Sequence, residues 1–174
     1  MSPSPAASPA VRVRPSTDAD VEAIADIYAY HVLNGTASFE LAAPSIDEMR
    51  QRREEVLSRG LPYLVAEVDA HVVGYAYANL YRPRPAYRHS WENSIYVHHT
   101  FTGRGIGRVL LHELIDVCTA RGARQLIAVI GDSANVASIQ LHAACGFTHA
   151  GTLHAVGYKF DRWIDSVFMQ RALG

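Results

Sequence analysis

The residues with the most evident chemical use in this chain are glycines. The apolar run Ile95-Tyr96-Val97 leads through a short loop into Gly103-Arg104-Gly105-Ile106-Gly107-Arg108, which opens a helical pattern. A strand that feeds a glycine-rich turn at a helix start aims several free N–H groups at one point. The helix dipole adds partial positive charge there, and glycine lets a phosphate approach the backbone. Arg104 and Arg108 reinforce that charge, so a pyrophosphate is the expected guest. A turn that merely joins strand to helix would read the same way.

The carrier of the pyrophosphate is narrowed by spacing. No Gly-Lys-Ser/Thr follows, which excludes a Walker loop. In a G-x-G-x-x-G frame the third glycine falls on Arg108 or Leu110. Asp132, after the next strand, would imitate a ribose-binding acid and keeps a dinucleotide open. A full dinucleotide site, however, uses two β-α-β halves, and only one is legible here.

The elements that must position this turn follow from periodicity. Val11–Arg14 reads as a strand. Thr17 with Asp20 forms a capping-box pattern ahead of Val21, Ile24, Ala25, Tyr28 and Val32 at helical spacing. Ser45 with Glu48 starts a second helix that stops at Gly60-Leu61-Pro62. Tyr63–Val68 and His71–Leu80 form a hairpin about Asp69-Ala70, and the Arg82–Pro85 stretch is a loop. Ser90–Val97 is a strand, Gly105–Arg121 a helix, Gln125–Ile130 a buried strand and Asn135–Ala144 a helix. Phe147–Leu153 and Trp163–Ala172 close the chain as strands. The order predicts an α+β fold with a mixed, mostly antiparallel sheet and one β-α-β crossover.

Composition sets the class. The 174 residues are 49% hydrophobic and 19% charged with net charge −1, which fits one globular domain spanning 11–174. Residues 1–10 are rich in Pro, Ser and Ala and read as a flexible tail, without the pattern of a secretory signal. Mixed charge gives no reason to expect nucleic acid or a membrane as partner. The longest aliphatic run, Leu126–Ile130, is too short to span a bilayer. Two cysteines, Cys118 and Cys145, in apolar helical patterns fit a reducing, cytoplasmic setting. The histidines show no ligand spacing, so no metal is expected.

The glycine turn resembles the Q/R-x-x-G-x-G/A motif of the GNAT superfamily, with Gly105-Ile106-Gly107 on its glycines. Asn135 to Phe147 resembles the second GNAT landmark, N-x-x-A-I-x-L-Y-x-x-x-G-F. Pro62–Val68, Glu92–Val97, Ala128–Gly131 and Gly157–Trp163 are similar to the phosphinothricin/methionine-sulfoximine N-acetyltransferase branch. One departure is Thr102, which stands where Gln or Arg is usual and would lose one polar contact to the cofactor.

The resemblance implies acetyl-CoA as co-substrate, held by Ile95, Tyr96, Val97, Thr102, Gly103, Arg104, Gly105, Ile106, Gly107, Arg108, Asn135 and Ser138. It implies Glu92 as the base that relieves the incoming amine of its proton, although a strand-edge carboxylate in solvent would look alike. Val97 would stabilise the oxyanion through its backbone N–H on splayed strands. His142 stands where many members carry the tyrosine proposed to protonate the departing thiolate, and a locally bonded polar residue is the alternative. Asn135 would bond the pantetheine amides or cap its helix. Phe39, Arg82, Arg84 and Tyr87 would line the acceptor site, the arginines gripping a carboxylate or phosphinate. The expected activity is N-acetylation of a small, anionic, amino-acid-like molecule by a homodimer. Acetylation of a protein N-terminus, or acyl-CoA sensing without catalysis, are the competing readings.

Overall fold

The computed structural model describes residues 10–174; all of the expected N-terminal tail except Ala10 lies outside them. Seven strands form one sheet in the order β1-β2-β3-β4-β5-β7-β6. They are β1 Arg12–Pro15, β2 Tyr63–Val68, β3 His71–Leu80, β4 Ser90–Val97, β5 Gln125–Gly131, β6 Thr148–Lys159 and β7 Arg162–Ala172. The helices are α1 Val21–Asn34, α2 Ile46–Ser58, α3 Ile106–Ala120 and α4 Val136–Ala144. Among the described residues only β4 and β5 pair in parallel, joined by α3 as the crossover, so the expected mixed α+β architecture is the one found.

Local chemistry accounts for the boundaries. Ser45 caps α2 by accepting the Glu48 amide at 3.1 Å. The Thr17/Asp20 box is present, and it closes a short 3₁₀ turn, Asp18–Asp20, just ahead of α1. Asp69 and Ala70 both take positive φ, as a two-residue hairpin turn requires. The core lies between the sheet and its two helical layers. Val21, Ile24 and Ile27 of α1 pack from one side and Leu110, Leu111 and Leu114 of α3 from the other, all almost without exposure.

Two expectations need correction. The Arg82–Pro85 loop runs into a further 3₁₀ turn, Pro85–Tyr87. The sixth strand does not end at Leu153 but runs to Lys159. Its register with β7 slips between Leu153 and Gly157, and Ala155 takes a φ of 53° there. A bulge of this kind breaks strand alternation, so the second half of β6 does not read as strand from sequence.

Candidate active site

Strands β4 and β5 begin side by side and then part. Their register runs from Ser90–Gln125 to Asn93–Ala128 and stops, while β4 continues to Val97 and β5 to Gly131. The bond from the His98 amide to Val73 O, 2.8 Å, fixes the phase of the β3–β4 ladder. Ser94 and Tyr96 therefore turn their backbone groups toward β3, and Ile95 and Val97 turn theirs toward the open seam. The Val97 carbonyl accepts a hydrogen bond from His31 Nε2 at 2.8 Å. That leaves Ile95 N–H, Ile95 O and Val97 N–H on an unpaired strand edge.

Three cavities meet at this seam. A cleft of about 470 Å³ lies along the α3–α4 side, lined by Ile95, Tyr96, Val97, Thr102, Gly103, Gly105, Ile106, Gly107, Arg108, Asn135 and Ser138, among others. A second cavity of about 250 Å³ lies on the α1 side and contains Phe39, Glu92, Ser94 and Val129. A small cavity of about 50 Å³ between the strands shares Ile95, Asn135 and Ser138 with the first and Ser94, Val129 and Gly131 with the second. Two substrates can thus approach from opposite sides of the sheet and meet at the gap.

The cleft suits a pyrophosphate with an extended arm. Gly105 caps α3 at φ 77°, and no side chain bonds the helix start. The amides of Ile106, Gly107 and Arg108 consequently have no intrahelical acceptor. A Cβ at Gly107 would stand 3.2 Å from Leu141, so this glycine lets α3 and α4 close the cleft floor. Asn135 caps α4, its Oδ1 accepting the Ser138 amide at 3.3 Å, and lines the cleft as well. Thr102 Oγ1 is spent on His99 O. Arg104 lies over the Phe101 ring and is not among the lining residues.

On the other side, Glu92 is half-buried, and burial raises its carboxyl pKa while the Arg82 charge acts in the opposite sense. Phe39 lines the same cavity because two glycines make room for its ring. A Cβ would come within 2.5 Å of it at Gly157 and 2.9 Å at Gly131. Arg82, Arg84 and Tyr87 are not among the lining residues. They are exposed on the β3–β4 connection, with Arg82 stacked 4.2 Å over Tyr81 and Tyr87 edge-on to the same ring. Of the three, Arg82 is the one whose charge reaches Glu92.

His142 is 2% exposed. Its Nδ1 donates to Ser138 O at 2.8 Å, so Nε2 accepts from Asn93 Nδ2 at 2.9 Å. Burial lowers its pKa and favours the neutral ring. Arranged this way the imidazole offers no proton to the cleft, and the expected acid role would need the disfavoured imidazolium. Asp132, the possible ribose acid, is also committed: it accepts from Thr36 Oγ1, the Ala134 amide and Arg162. The dinucleotide alternative loses its anchor. Asn93 and His31 were missed from the sequence, because each is defined by a partner 49 or 66 residues away. Among the described residues, no three His, Cys, Asp or Glu side chains gather as a metal site, and no helix is long and apolar enough to cross a membrane.

A parallel seam opened beside a glycine-started helix, with a carboxylate on its far side, fits an acyl-CoA-dependent acyltransferase. The comparisons with known proteins are specific about which. Residues 13–168 match the family model for the acetyltransferase (GNAT) domain, and the chain belongs to the GNAT family. It is an acetyl-CoA-dependent N-acetyltransferase. It is 56% identical over 164 residues to phosphinothricin N-acetyltransferase of Alcaligenes faecalis, covering 94% of this chain and 83% of that one. It is 38% identical to the L-methionine sulfoximine/L-methionine sulfone acetyltransferase of Salmonella typhimurium, covering 92% and 94%. The crystal structure of a GNAT superfamily phosphinothricin acetyltransferase from Sinorhizobium meliloti, in complex with AcCoA, superposes with a TM-score of 0.92. It is 46% identical, with 94% of this chain and 89% of that chain covered.

Proposed function

We propose that the protein acetylates the amino group of a small, anionic, amino-acid-like acceptor of the phosphinothricin, methionine sulfoximine or methionine sulfone type, by direct attack in a ternary complex. The observation that carries this reading is the pair of cavities on opposite faces of the sheet, with a small cavity between the parted strands that shares residues with both. Such an arrangement lets an amine meet a thioester without a covalent enzyme intermediate.

Acetyl-CoA supplies the acetyl group as an activated thioester. The amides at the start of α3 hold its pyrophosphate, and the free edge of Ile95 and Val97 takes the extended arm. Glu92 faces the acceptor cavity and receives the ammonium proton, directly or through one water, which frees the nitrogen lone pair for attack. Val97 N–H stabilises the negative charge that develops on the carbonyl oxygen. Collapse of that intermediate breaks the C–S bond, and the coenzyme A thiolate leaves, taking up the second proton that the new amide nitrogen sheds. Phe39 gives the acceptor an apolar wall. The exposed guanidinium groups of Arg82 and Arg84 attract its anionic end.

The active form is a homodimer, with the outer half of the β6–β7 hairpin as the contact. Leu153, Val156, Tyr158, Phe160 and Trp163 are each more than half exposed there, next to Gly157, against which Phe39 packs. A cytoplasmic location accords with two buried, unpaired cysteines, Cys118 and Cys145.

The deciding experiment is acetyl-CoA-dependent thiol release with phosphinothricin, methionine sulfoximine, methionine sulfone, glutamate, spermidine and an N-terminal peptide. Turnover confined to the anionic amino-acid analogues supports the proposal. Turnover with peptide or spermidine alone overturns the acceptor class, and acetyl-CoA binding with no turnover favours a sensor.

A further inference from the structure

The side chain of Asn93 is 5% exposed and lines the small cavity within the seam. Its Nδ2 is committed to His142, whose ring is in turn held by Ser138 O. The carboxamide cannot turn over without placing its Oδ1 lone pairs against that of the neutral ring's Nε2. Its Oδ1 is therefore fixed in orientation, and it is the one buried side-chain polar atom among the described residues with no partner. A buried acceptor left unpaired is destabilising, so its retention calls for a donor that arrives with a ligand.

The chemistry of the cavity identifies that donor. The seam leads directly into the cleft that receives the arm of the acyl donor, a reading on which this inference rests. A pantetheine arm carries two amide N–H groups. On this edge of β4 the backbone acceptor without a bond is Ile95 O, Val97 O already accepting from His31. Asn93 precedes Ile95 by two residues on the same face of β4 and lies nearer the vertex, where the strands meet. We propose that Asn93 Oδ1 is the second acceptor, taking the amide N–H closest to the thioester, and that His142 is a positioning residue that holds the carboxamide in that orientation. Asn93 then sets how far the thioester advances toward Glu92, and the histidine acts through it.

Equilibrium binding tests this without turnover, using coenzyme A and 3′-phospho-ADP, the nucleotide half that lacks the arm. Asn93→Leu should weaken coenzyme A by about fivefold or more while 3′-phospho-ADP stays within about twofold of the parent. His142→Phe keeps a ring against Phe147 and removes the anchor. It should weaken coenzyme A in the same selective way, and the double variant should bind no worse than Asn93→Leu alone. Circular dichroism and thermal midpoints confirm folding, and His142→Phe reads the same claim if Asn93→Leu does not fold. Unchanged coenzyme A affinity in the variants, or equal losses for both probes, overturns the proposal. Failure of the parent protein to bind either probe overturns the acetyl-CoA reading beneath it.

Discussion

Glu92 and Asn93 are consecutive residues of β4 that face opposite sides of the sheet: Glu92 lines the cavity proposed for the acceptor, and Asn93 bonds His142 on the α4 side. Strand alternation alone separates them. One residue of slippage in β4 would exchange the carboxylate and the amide, which makes the register of the β3–β4 ladder a determinant of the chemistry.

Glu92→Gln should lower kcat/KM for the acceptor by roughly 10²–10⁴-fold, with little change in coenzyme A binding. Steady-state kinetics with a direct binding measurement would separate the two. An unchanged kcat/KM would remove Glu92 from the reaction.

The acid limb of the kcat/KM profile should report the Glu92 carboxyl, raised by burial and held back by Arg82. Replacing Arg82 with Gln removes the opposing charge, so the Glu92 pKa rises further and the limb moves to higher pH. A limb that stays in place or moves down would show that Arg82 does not act on Glu92.

Gly105→Ala forces a side chain into the left-handed region at the start of α3. The strain is about 1–2 kcal/mol. A fall of about 2–8 °C in thermal midpoint should follow in a chain of this size. Coenzyme A and 3′-phospho-ADP should weaken together, since the damage is at the pyrophosphate end, in contrast to the variants at Asn93. Calorimetry and titration check both.

Gly131→Ala places a Cβ against the Thr36 carbonyl and 2.9 Å from the Phe39 ring. Overpacking of this kind costs about 1–3 kcal/mol. Because the segment displaced is a wall of the acceptor cavity, KM for the acceptor should rise with KM for acetyl-CoA little affected.

Asp132 is held below the usual aspartate range chiefly by its hydrogen bond to Arg162. A depressed carboxyl stabilises the folded state above its unfolded pKa, near 3.8. That contribution is lost as pH falls through the lower folded value. Asp132→Asn should thus be less stable than the parent at pH 7, by about 1 kcal/mol given that Arg162 is half exposed. The gap should close in strong acid, as urea midpoints at the two pH values would show.

Much of this was legible locally. Ser45, the Asp69-Ala70 turn and Gly105 each announce a boundary through their own backbone or capping chemistry, and the glycine turn marks the cleft. What was hidden depends on distant partners or broken periods. The bulge at Ala155 concealed half of β6. Asn93 looks like any polar strand residue until α4 brings His142 to it, and His31 like any helix residue until Val97 arrives. Arg84 and Tyr87 stand exposed beside the cavity and do not line it, a placement that residue type beside proline does not reveal.

The seam that ends at Asn93–Ala128 has a thermodynamic consequence. A strand edge left unpaired in the middle of a sheet is an unfinished piece of secondary structure, and an acyl donor bound as proposed finishes it. Coenzyme A is then partly a structural member of the native state, and its concentration becomes a variable of folding stability. At a hundred times its Kd it would add about 2.7 kcal/mol. A variant too unstable to persist alone could therefore survive wherever coenzyme A is plentiful and disappear where it is scarce.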